Sequence, residues 1–285
     1  MADTLKSEQL RASLVQSCVP EMDVVVHESI ASTNDWALQQ SKAGRGLPFA
    51  CFAEEQLDGR GRRGKQWLMP ACSNIAMSLA WPFVLPVQQM TLLPLSIALA
   101  IAETLEAVGL EQVQIKWPND VYVRGKKIAG ILIETQPVSG ESGDRCLAVI
   151  IGVGLNFDMG SLSGEQRQSL PPFTDLCGEC QHQSVAERAS RADVAVMLLQ
   201  HIVDLCGRFQ HDAKRNLERF RSHYDFCRDK QIILRLDDGQ RLEGTACGVN
   251  DDAELLVSVD GRECRFNSAD VSVKAMSETI MSKKP

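Results

Sequence analysis

The sequence predicts an α+β fold: a β-sheet with flanking helices, followed by a small β-barrel. Two observations predict it. From Val24 to Asn156 short β-rich runs recur around a few stretches of helical periodicity. From Gln231 onward short strands alternate with turn signals, which some forty residues can only close into a small barrel or sandwich. The chain has 285 residues, of which 44% are hydrophobic, so it can bury a sizeable core and is too apolar for wholesale disorder.

Residues 1–22 form a polar lead-in with room for one short helix. Val24 to His27 is a short strand, and Ser32-Thr33-Asn34-Asp35 offers a helix cap before Trp36-Ala37-Leu38. Phe49 to Ala53 and Asn74 to Trp81 are strands. Thr91 to Val108 is a helix, with Pro94 in its first turn and Gly109 at its end. Val113–Lys116, Val121–Val123, Lys127–Glu134 and Cys146–Asn156 are strand-like. Gly160 to Gln183 is loop-rich around Pro171-Pro172. Ser190-x-x-Asp193 is a capping box that opens a helix through Phe209, and a second helix runs from about Asp212 to Arg221. Asp237-Asp238-Gly239, Asn250-Asp251-Asp252 and Asp260-Gly261 are the turns of the last module.

Charge and patterning exclude several classes. The formal net charge of −7 argues against nucleic acid as a partner, since phosphate binding needs a basic face. Met1 to Gln16 carries Asp3, Lys6, Glu8 and Arg11 and has no apolar signal region, while the apolar run Leu92–Ala102 stops at Glu103, too short to span a bilayer. Ten scattered cysteines fit free thiols in a reducing cytosol. Cys177 and Cys180 have C-x-x-C spacing with His182 nearby, but a zinc site needs a second cluster at matching spacing. The plain reading is a loop with two thiols. A cytoplasmic protein with no DNA and no membrane partner is expected.

Three segments carry chemistry. Gly59-Arg60-Gly61-Arg62-Arg63-Gly64-Lys65 matches G-x-G-x-x-G and also a P-loop without its Ser/Thr, because Gln66 stands there. Both readings need a helix to start at the glycines, and Pro70 closes off any such helix. The loop's physical content survives: four of the six residues Arg60 to Lys65 are basic, set among permissive glycines, so it attracts polyphosphate and carboxylate. The second segment is Lys116-Trp117-Pro118-Asn119-Asp120 with Lys126-Lys127-Ile128-Ala129-Gly130-Ile131-Leu132-Ile133-Glu134. Its Pro-Asn-Asp piece is turn chemistry, and it also offers groups for a nucleotide or its Mg²⁺. Neighbouring strand residues point to opposite faces, so only one of Lys126 and Lys127 can enter a site. Gly130 within the strand marks a close approach. The third segment, Gly152-Val153-Gly154-Leu155-Asn156, is either a plain bulge or the lining of a purine pocket.

In this order, over about 125 residues, these segments together with Ser32-Thr33-Asn34 and Gln56 resemble the biotin protein ligase family in its bacterial short form. The likeness covers about residues 24–275. It departs from the family's pattern at Leu57-Asp58, Lys65 and Phe157, and Asp58 places an acid beside the basic loop. The resemblance implies a mixed sheet of the class II synthetase-like, biotin–lipoate ligase kind at residues 23–226, an SH3-like barrel at 227–275 and a tail at 276–285. It implies an enzyme that makes biotinyl-5′-AMP from biotin and ATP with Mg²⁺, then passes biotin to a lysine of a biotin carboxyl carrier protein, the acceptor domain of acetyl-CoA carboxylase.

On the same resemblance, Ser32, Thr33, Asn34, Gln56, Arg60, Gly61, Arg62, Lys127 and Gly130 contact biotin. Arg62, Arg63, Trp67, Asn119, Asp120, Lys127 and Asn156 contact the nucleotide, with Asp120 as a contact for Mg²⁺. Lys127, Arg62 and Arg60 are the expected catalytic cations, and the C-terminal module is expected to support nucleotide closure or acceptor docking. Only some 23 residues precede the first strand, so the winged-helix domain and repressor activity of the larger members are not expected, and the protein is expected to be a monomer or homodimer. A lipoate or octanoate ligase and a non-enzymatic biotin sensor are the competing readings.

Overall fold

The computed structural model describes residues 5–13, 21–84, 90–139, 145–181, 188–236, 239–268 and 271–275. Residues 14–20 of the lead-in, His182, Asp237 and Asp238 of the first module turn, and the tail 276–285 lie outside the described residues. The lead-in contributes α1 (Ser7–Ser13). Seven strands then build the main sheet: β1 (Asp23–His27), β2 (Phe49–Ala53), β3 (Ile75–Phe83), β4 (Val113–Lys116), β5 (Asp120–Val123), β6 (Lys126–Ser139) and β7 (Arg145–Leu155). Their order is β1-β2-β3-β7-β6-β5-β4, and only the β1–β2 pair is parallel, which makes the sheet mixed.

Two strands run further than turn signals suggest, and both contain proline. Pro82 pairs with Ala148 beyond the start of β2, whose Phe49 lies opposite Ala80. Pro137 pairs with Leu147, well beyond the start of β5, whose Asp120 lies opposite Gly130. Among the described residues each proline therefore lies where its strand has a neighbour on one side only, the setting in which a strand tolerates proline.

The two faces of the sheet differ because side chains alternate along each strand. On one face Val149, Ile151, Val153 and Leu155 of β7 join the main core, which is closed by α3 (Leu93–Ala107) and α6 (Arg191–Arg219). Helix α3 is apolar on nearly all sides, as a helix sandwiched between a sheet and another helix must be. On the other face Ala148 and Ile150 of β7 pack with Phe49, Cys51 and Ala80 beneath α2 (Thr33–Lys42). Further along that second face β7 presents Gly152 and Gly154, opposite Leu132 and Gly130 of β6. There the sheet has almost no side chains, and a cavity opens.

The expected pair of helices from Ser190 to Arg221 is one helix. The Ser190/Asp193 capping box opens α6, which runs 29 residues to Arg219 and ends in a π-turn at Phe220–Tyr224. The polar run Gln210-His211-Asp212 reads as a break, but it holds neither glycine nor proline and lies on the solvent side. The apolar stripe passes through it from Phe209 to Leu217 and Phe220. The loop-rich stretch holds two short helices, α4 (Gly164–Ser169) and α5 (Leu176–Glu179).

Beyond the π-turn come β8 (Gln231–Leu236), β9 (Arg241–Val249), β10 (Leu255–Val259), β11 (Arg262–Phe266) and β12 (Val271–Ala275). They form a five-stranded antiparallel sheet of order β11-β10-β9-β8-β12, the expected small β unit. Its inward residues Ile232, Leu234, Ala246, Val249 and Leu255 belong to the same continuous core as the main sheet. No helix among the described residues is long and apolar enough to cross a membrane.

Candidate active site

The glycine-lined patch of the sheet is the floor of a cavity of about 540 Å³, within the range of small-molecule sites. All the residues singled out from sequence as contacts for ligand line it, from Ser32, Thr33, Asn34 and Gln56 through the basic loop to Asn119, Asp120, Lys127, Gly130 and Asn156. They do so in a spatial order that the floor dictates.

At one end the first turn of α2 stands over Gly152. A Cβ there would lie 2.2 Å from Asn34 Oδ1, so only glycine admits the amide. Ser32 caps the helix, its Oγ accepting from the backbone N–H of Asp35. The side chains behind it form a fixed ladder. Thr33 donates from both N and Oγ1 to Gln56 Oε1, at 2.8 and 3.0 Å. Ser78 Oγ lies 2.8 Å from Thr33 Oγ1 and 2.6 Å from Asn34 Oδ1. Asn34 Nδ2 donates to Glu134 Oε2 at 2.9 Å and to the Leu132 carbonyl at 3.3 Å. The orientation of the amide is thereby unambiguous. Ser78 was not singled out from sequence; its one signal there is a lone hydroxyl in an otherwise apolar strand.

About 7 Å along the same strand, Gly154 and Gly130 form a flat bed for the Trp67 indole. A Cβ on Gly154 would meet the ring at 2.4 Å and one on Gly130 at 3.2 Å. Trp67 closes the basic loop, tied back by its N–H to the Gly59 carbonyl at 2.7 Å. No helix begins at the loop's glycines. The chain makes a single 3₁₀ turn at Arg62–Gly64, with Arg63 at φ 57°, and returns to extended backbone.

The third region is cationic. Lys127, opposite Tyr122 after a bulge between Val121 and Tyr122, enters the cavity, while Lys126 is exposed and does not line it. Lys127 Nζ pairs with Asp120 Oδ1 at 2.6 Å and lies 5.3 Å from the Trp67 ring. Lys65 and the buried Lys116 line the same wall. Burial pulls the pKa of Lys65 down; Asp120 opposes this, and Lys127, Lys116 and Arg235 add to it. Burial likewise lowers Arg62, with Arg63 adding to it and Asp120 opposing. Positive groups crowded around one carboxylate are a site for an anion, whose arrival would relieve both depressions.

Several of these cavity-lining side chains also carry partners within the fold. Arg60, expected to face the substrate, gives Nη2 to Asp35 Oδ1 at 2.5 Å and to Glu134 Oε2 at 3.0 Å. Asp120, expected as a metal contact, also holds Lys127. Asn156 Nδ2 is committed to the Thr174 carbonyl at 3.0 Å. Among the described residues Trp67 Nε1 and Arg60 Nε are buried without a hydrogen-bond partner, which suits an acceptor-rich ligand.

The C-terminal sheet supplies part of the wall, and sequence reasoning missed its residues. Arg235, Val273 and Lys274 line the cavity. Arg62 donates from Nη1 to Asn119 Oδ1 at 3.0 Å and from Nη2 to the carbonyl of Ser268. Trp117, buried in the turn before Asn119, donates its indole N–H to the Ala253 carbonyl at 2.9 Å. Nothing local in sequence announces these partners.

Away from the cavity, Cys177 and Cys180 are free thiols; burial pushes Cys177 up to about 11 and raises Cys180, as for unreactive sulfur. Among the described residues no three His, Cys, Asp or Glu side chains gather as a metal site.

Comparison with known proteins matches the model of the biotin/lipoate A/B protein ligase family to residues 26–156. A biotin–[acetyl-CoA-carboxylase] ligase of Mycobacterium tuberculosis is 29% identical over 257 residues, 88% of each chain. The bifunctional ligase/repressor BirA of Salmonella typhimurium is 37% identical over 150 residues, 53% of this chain and 45% of that one, so the matched part spans less than half of that relative. Among solved structures, the biotin protein ligase of Aquifex aeolicus in complex with biotin and ATP superposes with a TM-score of 0.70 at 21% identity, over 89% of this chain and 99% of that one.

Proposed function

We propose that this chain is a member of the biotin/lipoate A/B protein ligase family that makes biotinyl-5′-AMP from biotin and ATP and transfers the biotinyl group to a lysine of a biotin carboxyl carrier domain. The observation that carries this reading is the order of groups along one floor: a hydrogen-bonding ladder over Gly152, an indole over Gly154 and Gly130, then the lysines around Asp120. A ligand with a polar ring at one end and a carboxylate at the other fits that order.

In the first step a carboxylate oxygen of biotin attacks the α-phosphorus of ATP. The bond to the bridging oxygen breaks and pyrophosphate leaves. Both partners are anionic, so the barrier falls only where fixed positive charge meets the growing negative charge. Lys127 serves this purpose. Its ammonium has three donors, so it keeps Asp120 and still reaches acyl and phosphate oxygens. Lys65, Lys116 and Arg235 receive the outer phosphates. Mg²⁺ would neutralise phosphate charge; Asp120 is the carboxylate offered to it, which fits an ion that takes one or two carboxylates together with substrate phosphates and water. In the second step the acceptor's amine attacks the acyl carbon and AMP leaves.

The deciding experiment is incubation with ATP, Mg²⁺, biotin and a biotin carboxyl carrier domain, read by intact mass. Addition of one biotinyl group to the carrier is the expected result. An unmodified carrier, or calorimetric binding of lipoate in preference to biotin, would overturn the reading.

Retention of the adenylate is expected to depend on Arg62. Its guanidinium clamps the loop to Asn119 and to the C-terminal sheet. Arg62→Gly removes the clamp and adds backbone freedom, weakening closure by about 2 kcal/mol, the scale of a charged hydrogen bond. Adenylate synthesis should continue while the intermediate escapes and acylates unrelated lysine-rich protein. Labelling confined to the carrier at the wild-type rate would rule this out.

A further inference from the structure

Glu134 ends the motif that begins at Lys127 and takes no part in the two chemical steps. It stands on β6 opposite Ile150, on the face beneath α2, and its side chain is 26% exposed. Its Oε2 accepts from two donors of different origin. One is the Asn34 amide at 2.9 Å, from the rigid first turn of α2. The other is Arg60 Nη2 at 3.0 Å, from the glycine-rich loop, which also lies 3.2 Å from Oε1. Asn34 is the group the floor glycine admits. Arg60 reaches back toward α2, where Asp35 receives the same nitrogen.

We infer that Glu134 is a positioning residue that couples the ring-binding end of the site to closure of the 59–67 loop. This inference rests on the biotin-ligase reading. One carboxylate cannot hold both donors unless Asn34 keeps its rotamer and the loop stays down. A ligand that fixes Asn34 therefore favours the Glu134 rotamer that retains Arg60, and by linkage a closed loop favours the ligand. Asp35 is the auxiliary partner. It touches Arg60 and leaves the Asn34 amide alone.

The loop carries Arg60, Arg62, Arg63 and Lys65, so trypsin reports on its closure. Wild-type protein, Glu134→Gln and Asp35→Asn are digested with and without saturating biotin, and biotin affinity is measured by calorimetry. Glutamine keeps an acceptor for Asn34 and removes the charge that holds Arg60. At biotin concentrations that saturate each variant, the expected result for Glu134→Gln is biotin-induced protection of the loop reduced about tenfold, inside the usual range of coupling factors, with biotin affinity weakened by no more than that factor, as reciprocal coupling requires. Asp35→Asn should lower protection in the same direction, which decides the matter even if Glu134→Gln does not fold. Full protection in both variants at saturating biotin overturns the inference, including where affinity falls, which is the mark of a residue that merely builds the pocket. If wild-type protein fails to bind biotin, the ligase reading falls first and this inference with it.

Discussion

Lys127→Ala is expected to lower biotin-dependent exchange of pyrophosphate into ATP by about 10²–10³-fold, the scale of a lost oxyanion contact. The bulge at Val121/Tyr122 sets Lys127 opposite Tyr122 and turns it into the cavity, half-buried beside Trp67. Its removal has two costs. The reacting oxygens lose their nearest fixed charge, and Asp120 loses the ammonium 2.6 Å away, leaving a partly buried carboxylate to repel incoming phosphate. Lys126 is the internal control. It is one residue away, exposed on the other face and not part of the cavity wall, so Lys126→Ala should stay within about 0.5 kcal/mol of wild type. Equal loss of exchange in both variants would mean that the strand's alternation does not decide which lysine acts.

The second large effect concerns stability. Arg191, the first residue of α6, is 1% exposed and pairs through Nη2 with Glu54 Oε2 at 2.6 Å. Its Nη1 donates to the Asn74 carbonyl at 3.1 Å, and the other oxygen of Glu54 accepts from the Leu5 N–H at 2.6 Å. One buried pair thus joins the start of α6, the end of β2, the start of β3 and the lead-in. The carboxylate also lies at the N-terminal end of α6, where the helix dipole favours negative charge. Arg191→Met should destabilise the protein by about 3–5 kcal/mol, because it strands Glu54 in the interior. Arg191→Met combined with Glu54→Gln should recover most of that loss, since a neutral side chain needs no counter-charge. Denaturant unfolding of the single and double variants measures both. A double variant no more stable than Arg191→Met would show that the arginine acts by packing alone.

The sheet and the candidate site were legible in sequence to different depths. The basic loop stood out because glycines and four cations in six residues are hard to explain as surface. Alternation showed that only one of Lys126 and Lys127 could enter the site, and spacing to Gly130 chose Lys127; the bulge at Val121/Tyr122 that turns it inward carried no signal. Gly130, Gly152 and Gly154 were visible as interruptions of strands. That they lie together as one floor follows from the β6–β7 register, which a single chain does not reveal. Side-chain pairings across the fold were not legible. Arg60 reads as a free cation until Asp35 and Glu134 are brought beside it, and nothing in sequence says that Asp120 is also the partner of Lys127. The single long α6 was missed because a polar run on the solvent side of a helix resembles a loop when burial is unknown. Arg235 and Lys274 carried no signal at all, since what makes them wall residues is the docking of the whole second sheet.

That docking has a consequence for the order in which the molecule assembles. The bond from Arg62 to the Ser268 carbonyl joins residues 206 positions apart, and that from Trp117 to the Ala253 carbonyl spans 136. Closing such long loops costs entropy that only completed packing repays, so non-local pairings form slowly. The turns of helix α6 and the hairpins of the second sheet are bonded between residues close in sequence and can form early. The cavity wall cannot. A refolding chain is therefore expected to regain its far-ultraviolet dichroism before its ability to bind ATP, with a lag between the two in stopped-flow measurements. Recovery of both signals in a single common phase would show that the wall forms together with the helices.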